Sequence, residues 1–180
     1  MAAPSMSANP AIERRAACEV RAAGRGLTGY AARFGVETRI GGMREVIRPG
    51  AFTATLGERN DILALADHDP ARVLARTRSG TLRLREDDQG LAFDLDLPDT
   101  AAGRDVLALA ERGDLGGASF GFRPRKGGEA RNGDLRELRA VDLAEISIVA
   151  AWPAYSTTEV QARSAEPPRL QLARLYLETT

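Results

Sequence analysis

The pattern of apolar and polar positions changes character along this chain. Up to about residue 26, Ala, Ser, Pro and Gly predominate, with no period and only a mixed-charge patch at Glu13 to Arg15. This part reads as an N-terminal arm with room for one short strand at Cys18 to Arg21. From Leu27 alternation sets in. Leu27 to Phe34 predicts a strand with Tyr30, Ala32 and Phe34 on one face. Glu45-Val-Ile47 predicts a short second strand, stopped by the turn signal Pro49-Gly50. Ala51 to Leu56 predicts a helical turn. Ile62 to Ala66 is an apolar run short enough for a buried strand, ending at Asp67-His68-Asp69-Pro70, where the proline pushes Asp69 toward an extended conformation.

The middle of the chain has a clearer β texture. Arg72 to Arg76 leads into Thr77 to Arg85, where Leu82 and Leu84 alternate with polar residues. Leu91, Phe93, Leu95 and Leu97 alternate with Asp94 and Asp96. With Asp87-Asp88-Gln89-Gly90 between them, these runs predict a hairpin with one buried and one wet face. Asp99 or Thr100 can cap a helix that runs to about Arg112, with Val106, Leu107 and Ala110 as its apolar stripe and Gly113 as its stop. Gly116 to Arg123 predicts a strand entered through glycines, Lys126 to Gly133 a polar loop, and Leu135 to Val149 one or two strands with a strongly apolar end. Trp152-Pro153-Ala154-Tyr155 breaks that run, and Glu159 to Arg163 predicts a last short strand. Beyond Ser164, Glu166-Pro167-Pro168 marks a hinge, and Leu170 to Leu177 predicts a short amphipathic helix. The plan is an arm (1–26), a folded body (27–163) of mainly β, α+β type, and a tail (164–180).

Composition narrows the functional classes. With 180 residues and 43% hydrophobic positions, one domain can bury a real core without staples. Lys and Arg number 25 against 25 Asp and Glu, which argues against an electrostatic nucleic-acid partner. No apolar run reaches the roughly 18 residues of a membrane span, and no signal peptide is apparent, so no membrane partner is expected. One cysteine, Cys18, excludes an internal disulfide and suits a reducing cytoplasm. One histidine beside one cysteine makes a zinc site unexpected, and no cofactor is implied. Any chemistry that needs a histidine must use His68.

Serine hydrolysis needs a hydroxyl, a base to take its proton, and an acceptor that holds the base in one tautomer. His68 ends an apolar run between two aspartates, which suits a strand end facing a cleft and equally suits a polar turn. Ser119 lies in Gly116-Gly-Ala-Ser-Phe-Gly121, where glycines permit close approach of a substrate backbone and where the amides of Gly117, Ala118, Phe120 and Gly121 can serve an oxyanion. The same stretch reads as a glycine-rich bulge with serine as a small filler. Gly117-Ala-Ser-Phe-Gly121 formally matches the hydrolase elbow, but Phe-Gly-Phe-Arg-Pro124 cannot continue as the helix that the elbow requires. Glu145 lies in an apolar strand, where a carboxylate must be paired or face outward, and Glu137 and Asp142 compete for the same role.

Taken in order, several segments resemble the prohead, or capsid maturation, serine proteases of tailed phages. They are Gly29-Tyr-Ala-Ala32, Glu45-Val-Ile-Arg-Pro-Gly-Ala-Phe52, the apolar run into His68-Asp69, Ser79-Gly-Thr-Leu82, Glu86-Asp-Asp-Gln-Gly-Leu91, Ser119-Phe-Gly-Phe122, Leu143-Ala-Glu-Ile-Ser-Ile-Val149 and Pro153-Ala-Tyr155. Each motif is weak alone; their order and spacing over Leu27 to Arg163 are specific. The resemblance implies His68 as catalytic histidine, Ser119 as nucleophile and Glu145 as the acidic third member. The family is similar to the herpesvirus assemblin proteases, which place His, Ser and a second His in the same order, and the implied fold is an assemblin-like small β-barrel with surrounding helices. Asp67 stands where the family often has Asn, Ala118 where a larger apolar residue is common, and Ala150-Ala151 in place of polar residues. The implied function is a serine endopeptidase acting in the cytoplasm inside an immature prohead. Its substrate would be the major capsid protein or its scaffold segment, with itself as a second target and homo-oligomers as an option. The rival functions are a non-catalytic assembly factor of the same fold and a β-barrel ligand binder.

Overall fold

The computed structural model describes residues 11–17 and 19–151. The expected strand at Glu159 to Arg163 and helix at Leu170 to Leu177 lie outside the described residues. The chain is mostly β. In order it forms β1 (Glu13–Ala17), β2 (Glu19–Ala23), β3 (Gly26–Arg33), β4 (Thr38–Ile40), β5 (Met43–Ile47), α1 (Thr53–Gly57), β6 (Leu63–Ala66), β7 (Asp69–Arg76), β8 (Leu82–Asp87), β9 (Gly90–Asp96), α2 (Ala101–Arg112), β10 (Gly117–Pro124), β11 (Glu129–Asn132), β12 (Leu135–Leu138) and β13 (Val141–Val149). No helix among the described residues is long and apolar enough to cross a membrane.

These strands make three sheets, ordered β1-β10-β13-β6-β7, β11-β12-β5-β4 and β2-β3-β9-β8. The closed barrel implied by the resemblance is not found. In the five-stranded sheet β1 and β7 are the edges and do not pair with each other, so the ladder stays open. Among the described residues two helices accompany the sheets, and of these only α2 exceeds two turns. Thr100 caps α2 by accepting a hydrogen bond from Gly103 N, and Gly113, at φ 76°, ends it, as the sequence predicts.

Two segments depart from the reading of the pattern. The expected arm supplies β1, which pairs with β10, as well as β2, which pairs with β3 and overlaps the short strand expected at Cys18 to Arg21. β1 shows no apolar alternation, because it is an edge strand held largely by charge. Its Arg15 places Nε 2.6 Å from Glu45 Oε1 and Nη2 2.8 Å from Glu45 Oε2. The expected polar loop at 126–133 contains β11, another edge strand, whose backbone pairs with β12 while its side chains stay polar.

The core gathers the inward faces of the sheets. Phe120 and Phe122 of β10 stack at 5.2 Å, Phe52 meets Phe120 edge-on at 5.5 Å, and Phe34 stacks on Phe52 at 6.2 Å. Such pairs contribute about 0.5–1.5 kcal/mol each beyond area burial. Ala118, Phe120, Ile146, Ile148, Ala64 and Ala66 all point into this core from the five-stranded sheet. The alternate positions of the same strands, Ser119, Gly121, Glu145 and Ser147, therefore face the other way.

Candidate active site

His68 is positioned by a two-residue hairpin turn. Ala66 pairs with Asp69, so Asp67 and His68 alone connect β6 to β7. Both have positive φ, 51° and 60°. This is the pattern of a type I′ turn, whose twist matches that of the flanking strands. Asp and His tolerate the left-handed region better than most residues, at a cost of about 1–3 kcal/mol each when held there. Surrounding bonds hold the turn. Asp67 N donates to Ile148 O at 3.0 Å, Ala150 N donates to Asp67 Oδ1 at 2.9 Å, and Arg72 Nη1 donates to Asp67 Oδ2 at 2.9 Å. The turn is thus stapled to the end of β13.

Glu145 reaches the turn from β13. Phe122 opposes Leu143 and Gly121 opposes Glu145, so Ala144 is an extra residue and β13 bulges there. The bulge switches the alternation: Val141 and Leu143 lie in the core on one side of it, Ile146 and Ile148 on the other, and Glu145 is turned out of the core. Thr55, fully buried on α1, accepts a hydrogen bond from Leu143 N at 3.2 Å and pins the bulged segment.

The Glu145 carboxylate is 6% exposed and well supplied with donors. His68 Nδ1 lies 2.7 Å from Oε1. Ser147, with no exposure, donates its hydroxyl to Oε2 at 2.5 Å. Arg14 Nε lies 3.5 Å from Oε1. Burial pushes the Glu145 carboxyl up, but the hydrogen bonds from His68 and Ser147 and the charges of His68 and Arg14 outweigh it and leave it below the ordinary carboxylate range. An ionised carboxylate only accepts, so Nδ1 is the nitrogen that donates, and in the neutral imidazole the lone pair is then on Nε2. The rivals Glu137 and Asp142 are elsewhere: Glu137 pairs with Arg48 and Arg139, and Asp142 with Arg125.

Ser119 is 3% exposed and lies on β10 with Ser147 as its register partner on β13 and Ala16 as its partner on β1. Cross-strand partners share a face, so Ser119 stands on the face that carries Ser147 and Glu145. Among the described residues the Ser119 hydroxyl has no side-chain hydrogen-bond partner, while its backbone belongs to both ladders. Gly117 has φ 143°, a conformation that favours glycine. Ala118 and Phe120 direct their side chains into the core. From Ala118 to Gly121, β10 is flanked by β1 on one side and β13 on the other, so the amides expected to serve an oxyanion lie within two ladders. The pairing of β1, hidden in the aperiodic start of the chain, is what the glycine-rich motif did not reveal.

Sequence reasoning missed Ser147 and Arg14. Ser147 had a signal, since residues two apart on a strand share a face with each other. Arg14 had none, because its place depends on the long-range pairing of β1 with β10. What the arrangement can do chemically is hold one imidazole in a fixed tautomer against a buried carboxylate, on a sheet face that also carries a serine.

Searches of curated proteins and of solved structures return no match for the chain. The family model of caudovirus prohead serine proteases matches residues 12–170, nearly the whole length, and the chain belongs to that family.

Proposed function

We propose that this protein is the endopeptidase that cleaves the major capsid protein, or its scaffold segment, inside the immature prohead, with Ser119 as nucleophile, His68 as base and Glu145 as the carboxylate that orients it. Ser119 Oγ attacks the scissile carbonyl carbon while its proton passes to His68 Nε2. The tetrahedral intermediate collapses, the C–N bond breaks, and the departing amine takes the proton from His68. A water then repeats the sequence on the acyl-enzyme, again giving its proton to His68, and releases the carboxylic acid product. Self-cleavage and a shared ancestry with the assemblins belong to the same reading.

The observation that carries it is the 2.7 Å contact between His68 Nδ1 and Glu145 Oε1. The chain has a single histidine, and the acidic residue it meets is an ionised, buried glutamate on the strand next to that of Ser119. An imidazole anchored in this way has its second nitrogen poised to accept a hydroxyl proton. The family's description as serine proteases supports the same assignment.

The test is labelling with a fluorophosphonate, which forms a phosphonyl ester with an activated serine and expels fluoride. Labelling of one site in the wild-type chain, abolished in Ser119→Ala and strongly reduced in His68→Ala, is the expected result, together with cleavage of the cognate capsid protein by the wild type alone. Undiminished cleavage by Ser119→Ala overturns the assignment.

A further inference from the structure

We propose that Ser147 is a positioning residue for the His68–Glu145 pair, its hydroxyl setting the plane of the Glu145 carboxylate so that Oε1 meets His68 Nδ1. This rests on the preceding reading of Ser119, His68 and Glu145.

The argument begins with the carboxylate. The terminal torsion of a glutamate is broad, so a single donor on Oε1 leaves the group free to rock about its own axis. A second donor on the other oxygen fixes the plane. Ser147 supplies it: Oγ lies 2.5 Å from Oε2 while His68 Nδ1 lies 2.7 Å from Oε1. Because the carboxylate is ionised, the Ser147 hydroxyl can act only as the donor in this bond.

Ser147 is also well placed to hold that geometry rather than follow it. It has no solvent exposure, and it sits in an inner strand between β10 and β6, with Ser119 and Leu65 as its register partners. Strand backbone and burial together fix its Cβ. Arg14 is a different kind of neighbour. Its side chain is 51% exposed and its Nε stands at 3.5 Å, so it contributes screened charge rather than orientation. The chain therefore extends its acidic member by one step, from His68 through Glu145 to Ser147, on one face of one sheet.

A serine in this position can also be no more than a small polar filler that satisfies a buried carboxylate. The two roles predict different results. The experiment uses the full chain and its single histidine, whose imidazole signals need no assignment. The variants are Ser147→Ala, Ser147→Thr, Glu145→Gln and the double variant Ser147→Ala with Glu145→Gln. The readouts are the rate constant for fluorophosphonate labelling of Ser119 and the nitrogen-15 spectrum of His68.

A positioning role predicts that Ser147→Ala labels roughly 10- to 100-fold more slowly, and that its His68 spectrum shifts from a fixed Nδ1–H tautomer toward a mixture. It also predicts that Ser147→Thr, which keeps the donor, keeps the rate, and that Ser147→Ala costs nothing further once Glu145 is Gln. Wild-type labelling and an unchanged tautomer in Ser147→Ala overturn the proposal while leaving the assignment of Ser119 intact. Labelling that survives Ser119→Ala instead overturns the reading on which it rests. If Ser147→Ala does not fold, Ser147→Cys takes its place with the same expected loss, because it keeps the volume and weakens the donor.

Discussion

Gly121 and Glu145 face each other across the β10–β13 ladder, and a Cβ built on Gly121 lies 2.6 Å from Glu145 Oε1 and 3.1 Å from its Cγ. The missing side chain of Gly121 is the space in which the carboxylate turns toward His68. A glycine that the sequence offers as a source of backbone amides thus has a second use, as a cavity for an acid.

Gly121→Ala follows directly. The one contact under 3.0 Å is with the far end of a flexible glutamate, while Glu145 Cγ and Ile12 Cγ2, both at 3.1 Å, need give only slightly, so the fold can yield by moving the carboxylate at small cost. The same movement takes Oε1 away from His68 Nδ1. The expected result is a loss of roughly 10- to 100-fold in fluorophosphonate labelling rate, with a thermal midpoint close to that of the wild type. A large drop in midpoint with an unchanged labelling rate per folded molecule refutes the cavity role.

The hairpin turn that presents His68 can be tested through Asp67. Asp67→Asn keeps a residue suited to φ 51° and an acceptor for Ala150 N, and loses only the half-exposed pair with Arg72. An exposed pair of this kind is worth about 0–1 kcal/mol, so both stability and labelling rate stay near wild type. Asp67→Ala leaves Ala150 N without that partner and puts a poorer residue in the left-handed region. A loss of about 1–3 kcal/mol in urea unfolding is expected, with slower labelling as His68 loses its fixed approach.

How much of this was legible in the chain depends on how local the deciding interaction is. The helix from Thr100 to Gly113 and the hairpin of β8 and β9 are written in caps, stops and alternation within a few residues, and they stand where the pattern puts them. The sequence reading also singled out Glu145 beside His68 and Ser119, and the structure brings the first two into contact. What stayed hidden is non-local. The start of the chain looks aperiodic because β1 is held by ion pairs and by backbone pairing to a strand about a hundred residues away. The bulge at Ala144 marks the sequence only as a change of phase, from Val141 and Leu143 to Ile146 and Ile148, and the register with β10 is what identifies the extra residue.

The ion-pair cluster behind β1 makes a prediction about acid. Arg136 donates through Nη1 and Nη2 to Glu13 at 2.6 and 2.8 Å and through Nη1 to Glu45 at 3.0 Å, while Arg15 completes the cluster. The hydrogen bond from Arg136 holds the Glu13 carboxyl below the ordinary range against the opposing effect of burial, with the charges of Arg136 and Arg15 adding to it. Glu145 is lowered as well. For both groups the unfolded chain binds protons more readily than the folded one. Their stabilisation is complete above the ordinary carboxylate range and is lost as pH falls through the lowered folded values. The urea midpoint is therefore expected to drop on acidification, and Glu13→Gln to flatten the drop. An equally steep drop in Glu13→Gln removes Glu13 from the explanation.

The same cluster ties the expected arm to the rest of the fold. Arg136 and Glu45 have side chains only 8% and 5% exposed, on β12 and β5, and Glu13 and Arg15 are on β1. Removing the arginine leaves the buried Glu45 with Arg15 alone and takes the main partner from the partly exposed Glu13 and Glu129, and breaking a buried pair costs about 3–5 kcal/mol in comparable sites. Arg136→Met fills similar volume without the charge and is expected to lower unfolding stability by that amount. Because β1 flanks β10 along Ser119, the loss is not confined to stability. Hydrogen exchange in Arg136→Met is expected to speed up first in the amides of residues 13–17 and in those of 118–122 that face them, while α2 stays protected. Uniform acceleration across the sheets and α2 indicates global destabilisation alone and removes the cluster's specific part in holding β1 against the strand of Ser119.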